Sequence, residues 1–264
     1  MPYWKDKIAV VTGGSSGLGR ALAAELAQRG ARVIIVARGQ ESLERTAHAL
    51  GERVEPIAAD LTQQADVDRL FQQVHQKYGR LDLLIHSAGR SSRGEVLQTA
   101  PEDFQTLWEV NFLAAVRCTR TAAPALLASR GHLVNIGSLA AKSASRFLGA
   151  YPASKFPLAA YSQQLRLELG PQGLHVLLVC PGPIARDAEG DRYAAQTADL
   201  PDSARRPGGG VKVRAIDPHW LAGRILRACE RREVELVVPR KARLLFALAA
   251  LSPRLGDWLV RKMT

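Results

Sequence analysis

"TGGSSGLG", residues 12–19, stands between an apolar run, Ile8 to Val11, and the helical pattern "RALAAELAQRG" at 20–30. Its glycines are spaced Gly13-x-x-x-Gly17-x-Gly19. Glycine lets a backbone turn tightly and approach a pyrophosphate, whose charge is favoured by the free N–H groups and positive dipole end of the helix that follows. A glycine cluster alone also suits a plain turn. At the junction of a first strand and a first helix, the nucleotide reading is the stronger one.

Working outward, apolar β-rich runs recur at Ile8 to Val11, Val33 to Val36, Val54 to Ala58, Leu81 to Ile85, His132 to Ile136, Val176 to Val179 and Val234 to Val238, separated mostly by helical patterns. Runs that are apolar throughout mark strands covered on both faces. The expected fold is therefore α/β: a Rossmann-like, doubly wound, seven-stranded parallel sheet flanked by helices in a single domain. Residues 1–239 form the catalytic domain on this reading, and 240–264 are a basic amphipathic extension of it. A polar, Gly/Pro-rich insert at about 185–217, beyond the sixth strand, reads as a substrate lid.

The chain has 264 residues, 47% hydrophobic and 23% charged, enough for one sizeable core. Cys118, Cys180 and Cys229 are too few and too scattered for a disulfide framework or a metal set, so no metal is expected. The opening "MPYWKDK" lacks the apolar stretch of a signal peptide, and no uninterrupted apolar run approaches 20 residues. A cytoplasmic protein is the expectation. Its net charge of +11 is uneven: residues 203–264 hold 14 Lys+Arg against 5 Asp+Glu, and residues 1–202 hold 22 against 20. A basic tail invites an anionic partner. Nucleic acid is disfavoured because no recognition module or interleaved aromatics accompany the charge.

The second strand ends "VIIVAR", placing Ala37 and Arg38 where an NAD enzyme usually has an acid against the ribose hydroxyls. A guanidinium can bind a 2'-phosphate that a carboxylate would repel. NADP(H) is expected, with NAD(H) the lesser choice.

"YPASK", residues 151–155, sets Tyr151 and Lys155 four positions apart, on one helix face with Cβ atoms roughly 5–6 Å apart. A phenol with pKa about 10 is a poor base at neutral pH, but a nearby ammonium and oxidised nicotinamide favour phenolate. Tyr151 becomes a proton carrier. Ser138, after the fifth strand, can hydrogen-bond a substrate oxygen.

Taken in order, the glycine pattern, Asp60 after the third strand, "SAG" at 87–89, Asn111, Ser138, Tyr151 with Lys155, and Pro181-Gly182 resemble the short-chain dehydrogenase/reductase family over about residues 5–240. The resemblance implies a catalytic set of Asn111, Ser138, Tyr151 and Lys155, with Asn111 supporting Lys155 through a water. It implies cofactor contacts from Gly13, Ser15, Ser16, Gly17, Leu18, Gly19, Arg38, Asp60, Leu61, Ser87, Ala88, Gly89, Tyr151, Lys155, Pro181, Gly182 and Ile184. It also implies a homodimer or homotetramer and a small carbonyl or alcohol substrate. Two departures stand out: His86-Ser87 replaces the usual Asn-Asn pair, and Arg186 replaces a common threonine. A catalytically silent NADP(H)-binding protein on the same fold is the alternative, and it would be expected to lose Tyr151 or Lys155.

The segment "PRKARLLFALAALSPRLGDWLVRKMT" sets Leu255, Trp258, Leu259 and Met263 on one helical face, flanked by Arg254, Arg261 and Lys262. Either residues 240–264 pack on the subunit or its mate and wall the pocket, or they make a peripheral membrane contact.

Overall fold

The computed structural model of the protein describes residues 2–185, 193, 196–197, 200–205 and 214–263. Seven strands alternate with helices: β1 (Ile8–Thr12), β2 (Arg32–Ala37), β3 (Val54–Ala58), β4 (Leu83–His86), β5 (His132–Ile136), β6 (His175–Pro181) and β7 (Glu235–Val238). All neighbours pair in parallel, in the order β3-β2-β1-β4-β5-β6-β7. Strand β4 begins two residues later than the apolar pattern implies and reaches His86, within the usual scatter of strand ends. Pro56 interrupts no ladder because β3 is an edge strand, where a missing N–H is tolerated.

Side chains that alternate along β1 explain the two layers. Ala9 and Val11 face a core formed with α1 (Gly17–Gln28), α2 (Gln40–Leu50) and α8 (Pro218–Glu230). Ile8 and Val10 face the opposite core, formed with α3 (Gln64–Tyr78), α5 (Ala114–Ala128) and α6 (Tyr151–Leu169). Helix α4 (Pro101–Trp108) joins α5 through a π-helical turn at Glu109–Leu113, and α7 (Asp202–Arg205) belongs to the insert. After β7 the chain forms two further helices, α9 (Ala242–Leu251) and α10 (Pro253–Met263). No helix among the described residues is long and apolar enough to cross a membrane.

Strand order reverses between β1 and β4, so the crevice beyond their carboxyl ends is where such sheets take ligands. Thr12 closes the base of that crevice. Its hydroxyl donates to the Ile85 carbonyl at 3.3 Å and accepts from the Ser87 and Ala88 N–H groups at 3.2 and 3.1 Å.

The amino-terminal edge of the sheet holds a buried polar chain. The ring nitrogens of His132 and His175 lie 2.8 Å apart; Tyr3 Oη is 2.6 Å from His132 Nε2, and His175 Nε2 is 2.8 Å from the Glu233 carbonyl. One tautomer set satisfies every contact: Tyr3 donates to His132, His132 to His175, and His175 to the carbonyl. Cys229 lies within 4.8 Å of this pair, its thiol pKa raised by burial. Burial, reinforced by His175, Arg232 and Lys7, holds His132 at about 3. His86, inside the sheet, is held at about 3 by burial alone, with Nε2 3.0 Å from Thr119 Oγ1. It is a neutral strut between β4 and α5.

These histidines titrate lower in the folded chain than at the ordinary 6.5, so the unfolded chain binds more protons between about pH 3 and 6.5. Stability falls as pH drops through that window, by up to about 1.4 kcal/mol per pH unit for each group. Urea unfolding from pH 7 down to 4 measures this slope, and His86→Asn reduces it by about one proton.

Candidate active site

The loop after β1 takes its shape from three glycines. Gly13 and Gly17 have φ of +68° and +49°, values that L side chains rarely adopt. A Cβ on Gly13 would lie 2.8 Å from Ala88 Cα, and one on Gly19 would lie 2.2 Å from the Gly13 carbonyl oxygen. At Gly17 a Cβ would meet nothing within 4 Å, so this corner of the loop opens into the crevice. Ser16 provides no side-chain cap to α1, and the first turn carries no acid. The helix therefore presents uncapped N–H groups at an open, glycine-lined corner, the arrangement that suits a pyrophosphate. The Thr46 hydroxyl donates to the Ser15 carbonyl at 3.2 Å and ties the loop to α2. Leu18 is buried beneath it.

Around this loop stand the other residues expected at a dinucleotide. Arg38 is exposed just past the end of β2. Asp60 Oδ1 accepts from the Thr62 N–H and hydroxyl at 3.0 and 2.8 Å, fixing the turn that buries Leu61. Gly182 N–H donates to the Val238 carbonyl at 2.7 Å, and Ile184 bridges Ile216 at the stem of the insert. Arg186 lies outside the described residues.

Reactive groups gather at the carboxyl ends of β4 and β5. Tyr151 begins α6, its N–H donating to the Leu148 carbonyl at 3.0 Å, and the helix continues through Pro157. One turn on, Lys155 is buried and donates from Nζ to the Ile136 carbonyl at 3.1 Å. Burial lowers its pKa to about 8, so it is still mostly ammonium at pH 7. Asn111, in the π-helical turn, is buried and fully engaged: Oδ1 accepts from the Arg90 N–H, while Nδ2 donates to the Arg90 carbonyl and to Ser154 Oγ, each at 2.8 Å. Ser154 in turn donates to the Tyr151 carbonyl at 2.7 Å. The middle of "YPASK" thus links Asn111 to the start of the tyrosine helix, a role its spacing did not announce.

Gly89 lets these groups converge, since a Cβ there would be 2.9 Å from Asn111 Oδ1 and 3.3 Å from Lys155 Nζ. Asn111, Lys155, Thr12, His86 and Ile136 help to enclose a cavity of about 10 Å³, close to the space one water needs. Ser138, past the end of β5, accepts from the Ala140 N–H at 3.1 Å, which leaves its hydroxyl proton for another acceptor.

The loops that follow β4 and β5 zip together. Gly94 N–H donates to the Phe147 carbonyl at 3.2 Å, and Gly149 N–H to the Gly94 carbonyl at 3.0 Å. Arg93 is buried: its guanidinium lies 4.0 Å from the Tyr193 ring and donates to the Ala204 carbonyl at 3.0 Å. With Arg93 N–H donating to Gln196 at 2.9 Å, it fastens the insert to the loop after β4.

A family profile described as short chain dehydrogenase matches residues 7–197. The chain belongs to the short-chain dehydrogenase family. An uncharacterized oxidoreductase of Staphylococcus epidermidis is 32% identical over 181 residues, 68% of this chain and 79% of its own length. Another, from Bacillus subtilis, is 29% identical over 98% of this chain and 72% of its own length. Among solved structures, a short-chain dehydrogenase of Streptomyces avermitilis superposes with a TM-score of 0.80 at 29% identity, covering 96% of this chain and 97% of that one. A family member from Burkholderia phymatum, solved in complex with NAD, gives a TM-score of 0.83 at 23% identity over 97% and 96% of the two chains. The protein is thus an oxidoreductase of the short-chain dehydrogenase family.

Lys155 titrates near 8 when folded and near its ordinary 10.5 when unfolded. The folded state is penalised at neutral pH and gains stability as pH rises through 8 to 10.5. Lys155→Met removes the buried charge and keeps the chain's bulk. It is expected to raise stability at pH 7 by roughly 1–2 kcal/mol and to flatten that pH dependence, as read by urea unfolding.

Proposed function

We propose that this short-chain dehydrogenase is an NADP(H)-dependent reductase of carbonyl compounds, or the corresponding alcohol dehydrogenase, with Tyr151 as the proton carrier. The observation that carries the reading is the buried ammonium of Lys155, one helical turn from Tyr151 and hydrogen-bonded at the end of β5, two residues before Ser138.

Gly13, Ser15, Ser16, Gly17, Leu18 and Gly19 would hold the pyrophosphate, and Arg38 the 2'-phosphate. Asp60 and Leu61 would border the adenine. Ser87, Ala88, Gly89, Lys155, Pro181, Gly182 and Ile184 would border the nicotinamide riboside. Bound NADPH supplies the hydride.

In reduction, the carbonyl carbon gains the hydride and its electron pair while the π pair moves to oxygen. Ser138 donates a hydrogen bond to that oxygen as its charge grows. Tyr151 passes its hydroxyl proton to the oxygen and becomes phenolate. The Lys155 ammonium stabilises the phenolate by charge. Asn111 holds the π-helical turn against Arg90 and Ser154 and so keeps Lys155 in register. The cavity between Asn111 and Lys155 fits a single water through which a replacement proton can reach the pair. Oxidation of an alcohol follows the same path backwards. The silent-binder alternative has no comparable support, because both Tyr151 and Lys155 are retained.

Two experiments test this. On a panel of ketones and aldehydes followed by NADPH absorbance, Tyr151→Phe is expected to lose about 10²–10⁴-fold in turnover and to bind NADPH nearly as the parent does. Near-full activity would remove Tyr151 from the reaction. Arg38→Ala is expected to raise the Michaelis constant for NADPH by about 10–100-fold and to leave that for NADH unchanged. A parent enzyme that prefers NADH would overturn the cofactor choice.

A further inference from the structure

Helix α9 reads "ARLLFALAAL", yet none of its ten residues is buried. Leu244 and Leu251 are 66% and 84% exposed, and Trp258 on α10 is 52% exposed. An apolar surface of this kind marks a site for a protein or a membrane. The hairpin is firmly built all the same. A Cβ on Gly256 would lie 2.6 Å from Ala249 Cβ, so α9 and α10 touch closely at that point. Ala242 and Phe246 root α9 on the cluster of Ala141, Leu178, Cys180 and Val237.

Charge identifies the occupant. Arg240, Lys241, Arg243, Arg254, Arg261 and Lys262 accompany the exposed leucines, against Asp257 alone. A second copy of the chain docked about a two-fold axis would set this basic surface against itself, which like charges oppose. An anionic lipid surface is attracted by the same charges. Exposed leucines and a tryptophan, with lysine and arginine around them, are the make-up of helices that lie in a bilayer interface. Lys262 Nζ stands 5.2 Å from the Trp258 ring centre, pairing a headgroup-seeking cation with an interfacial aromatic.

We propose that the α9–α10 hairpin docks the protein on an anionic bilayer surface, its exposed leucines and Trp258 entering the acyl boundary and its cations meeting lipid headgroups. Leu139, next to Ser138, packs against the cluster that roots α9, so the hairpin is rooted beside the reactive end of the sheet. The substrate class that follows is an apolar carbonyl compound partitioned into the membrane. This last step rests on the reductase reading; the docking does not.

The test is sedimentation of the full chain with phosphatidylcholine vesicles, with and without phosphatidylserine, alongside NADPH binding by the same preparations. The parent is expected to sediment with the anionic vesicles and stay in solution with the neutral ones. Leu251→Asp and the double variant Arg261→Glu/Lys262→Glu are each expected to lose about tenfold or more of that binding while NADPH affinity is unchanged. Three results would overturn docking: a parent that stays in solution at low salt, undiminished binding by Leu251→Asp, or a dimer that Leu251→Asp splits and that ignores vesicles. Intact vesicle binding without NADPH binding would instead count against the reductase reading alone.

Discussion

An ammonium taken out of water needs compensation, and the Lys155 ammonium finds it in the Ile136 carbonyl 3.1 Å away, at the carboxyl end of β5. Much of the neighbouring structure is arranged around that single charge. Gly89 has no Cβ because Nζ and the Asn111 amide occupy the space. Asn111 is gripped by both backbone groups of Arg90 and by Ser154, which lies between Tyr151 and Lys155 in sequence. The end of β4, the π-helical turn, the end of β5 and the start of α6 therefore constrain one another through three polar side chains. The charge destabilises the fold at neutral pH, and under the proposed function the tyrosine chemistry is what makes its retention useful.

The nucleotide end is fixed by backbone rather than by charge. Thr12 collects two N–H groups from the segment after β4, bringing the glycine loop and the Ser87–Gly89 segment into one rigid unit. His86, neutral and bonded to Thr119, braces that unit from α5. A dinucleotide bound across the switch point would touch both ends at once, which couples the glycine loop to the lysine without any long-range motion.

Much of this was legible in the sequence. Fully apolar runs between helical patterns point to one parallel sheet covered by helices on both faces, and all seven strands lie where those runs stand. The glycine spacing and the Tyr151–Lys155 interval depend on local geometry, so their placement followed from position alone. Three features were not legible because they depend on tertiary pairing. The His132–His175 contact exists only because β5 and β6 align those two residues in register. Arg93 turns inward because the insert supplies Tyr193 and Ala204 to receive it. Ser154 acquires its partner only when α6 packs against the π-helical turn. The tail was legible as amphipathic, but not as two helices closed on each other through Gly256.

The most direct measurement is a ¹³C NMR titration of the Tyr151 ring carbon bearing the hydroxyl, in the NADP⁺ complex of the parent and of Lys155→Met. If the buried ammonium activates the phenol, Tyr151 deprotonates well below the ordinary tyrosine value of about 10 in the parent and returns to that value or higher in the variant. Titration of Tyr151 at or above the ordinary value in both proteins would contradict the account.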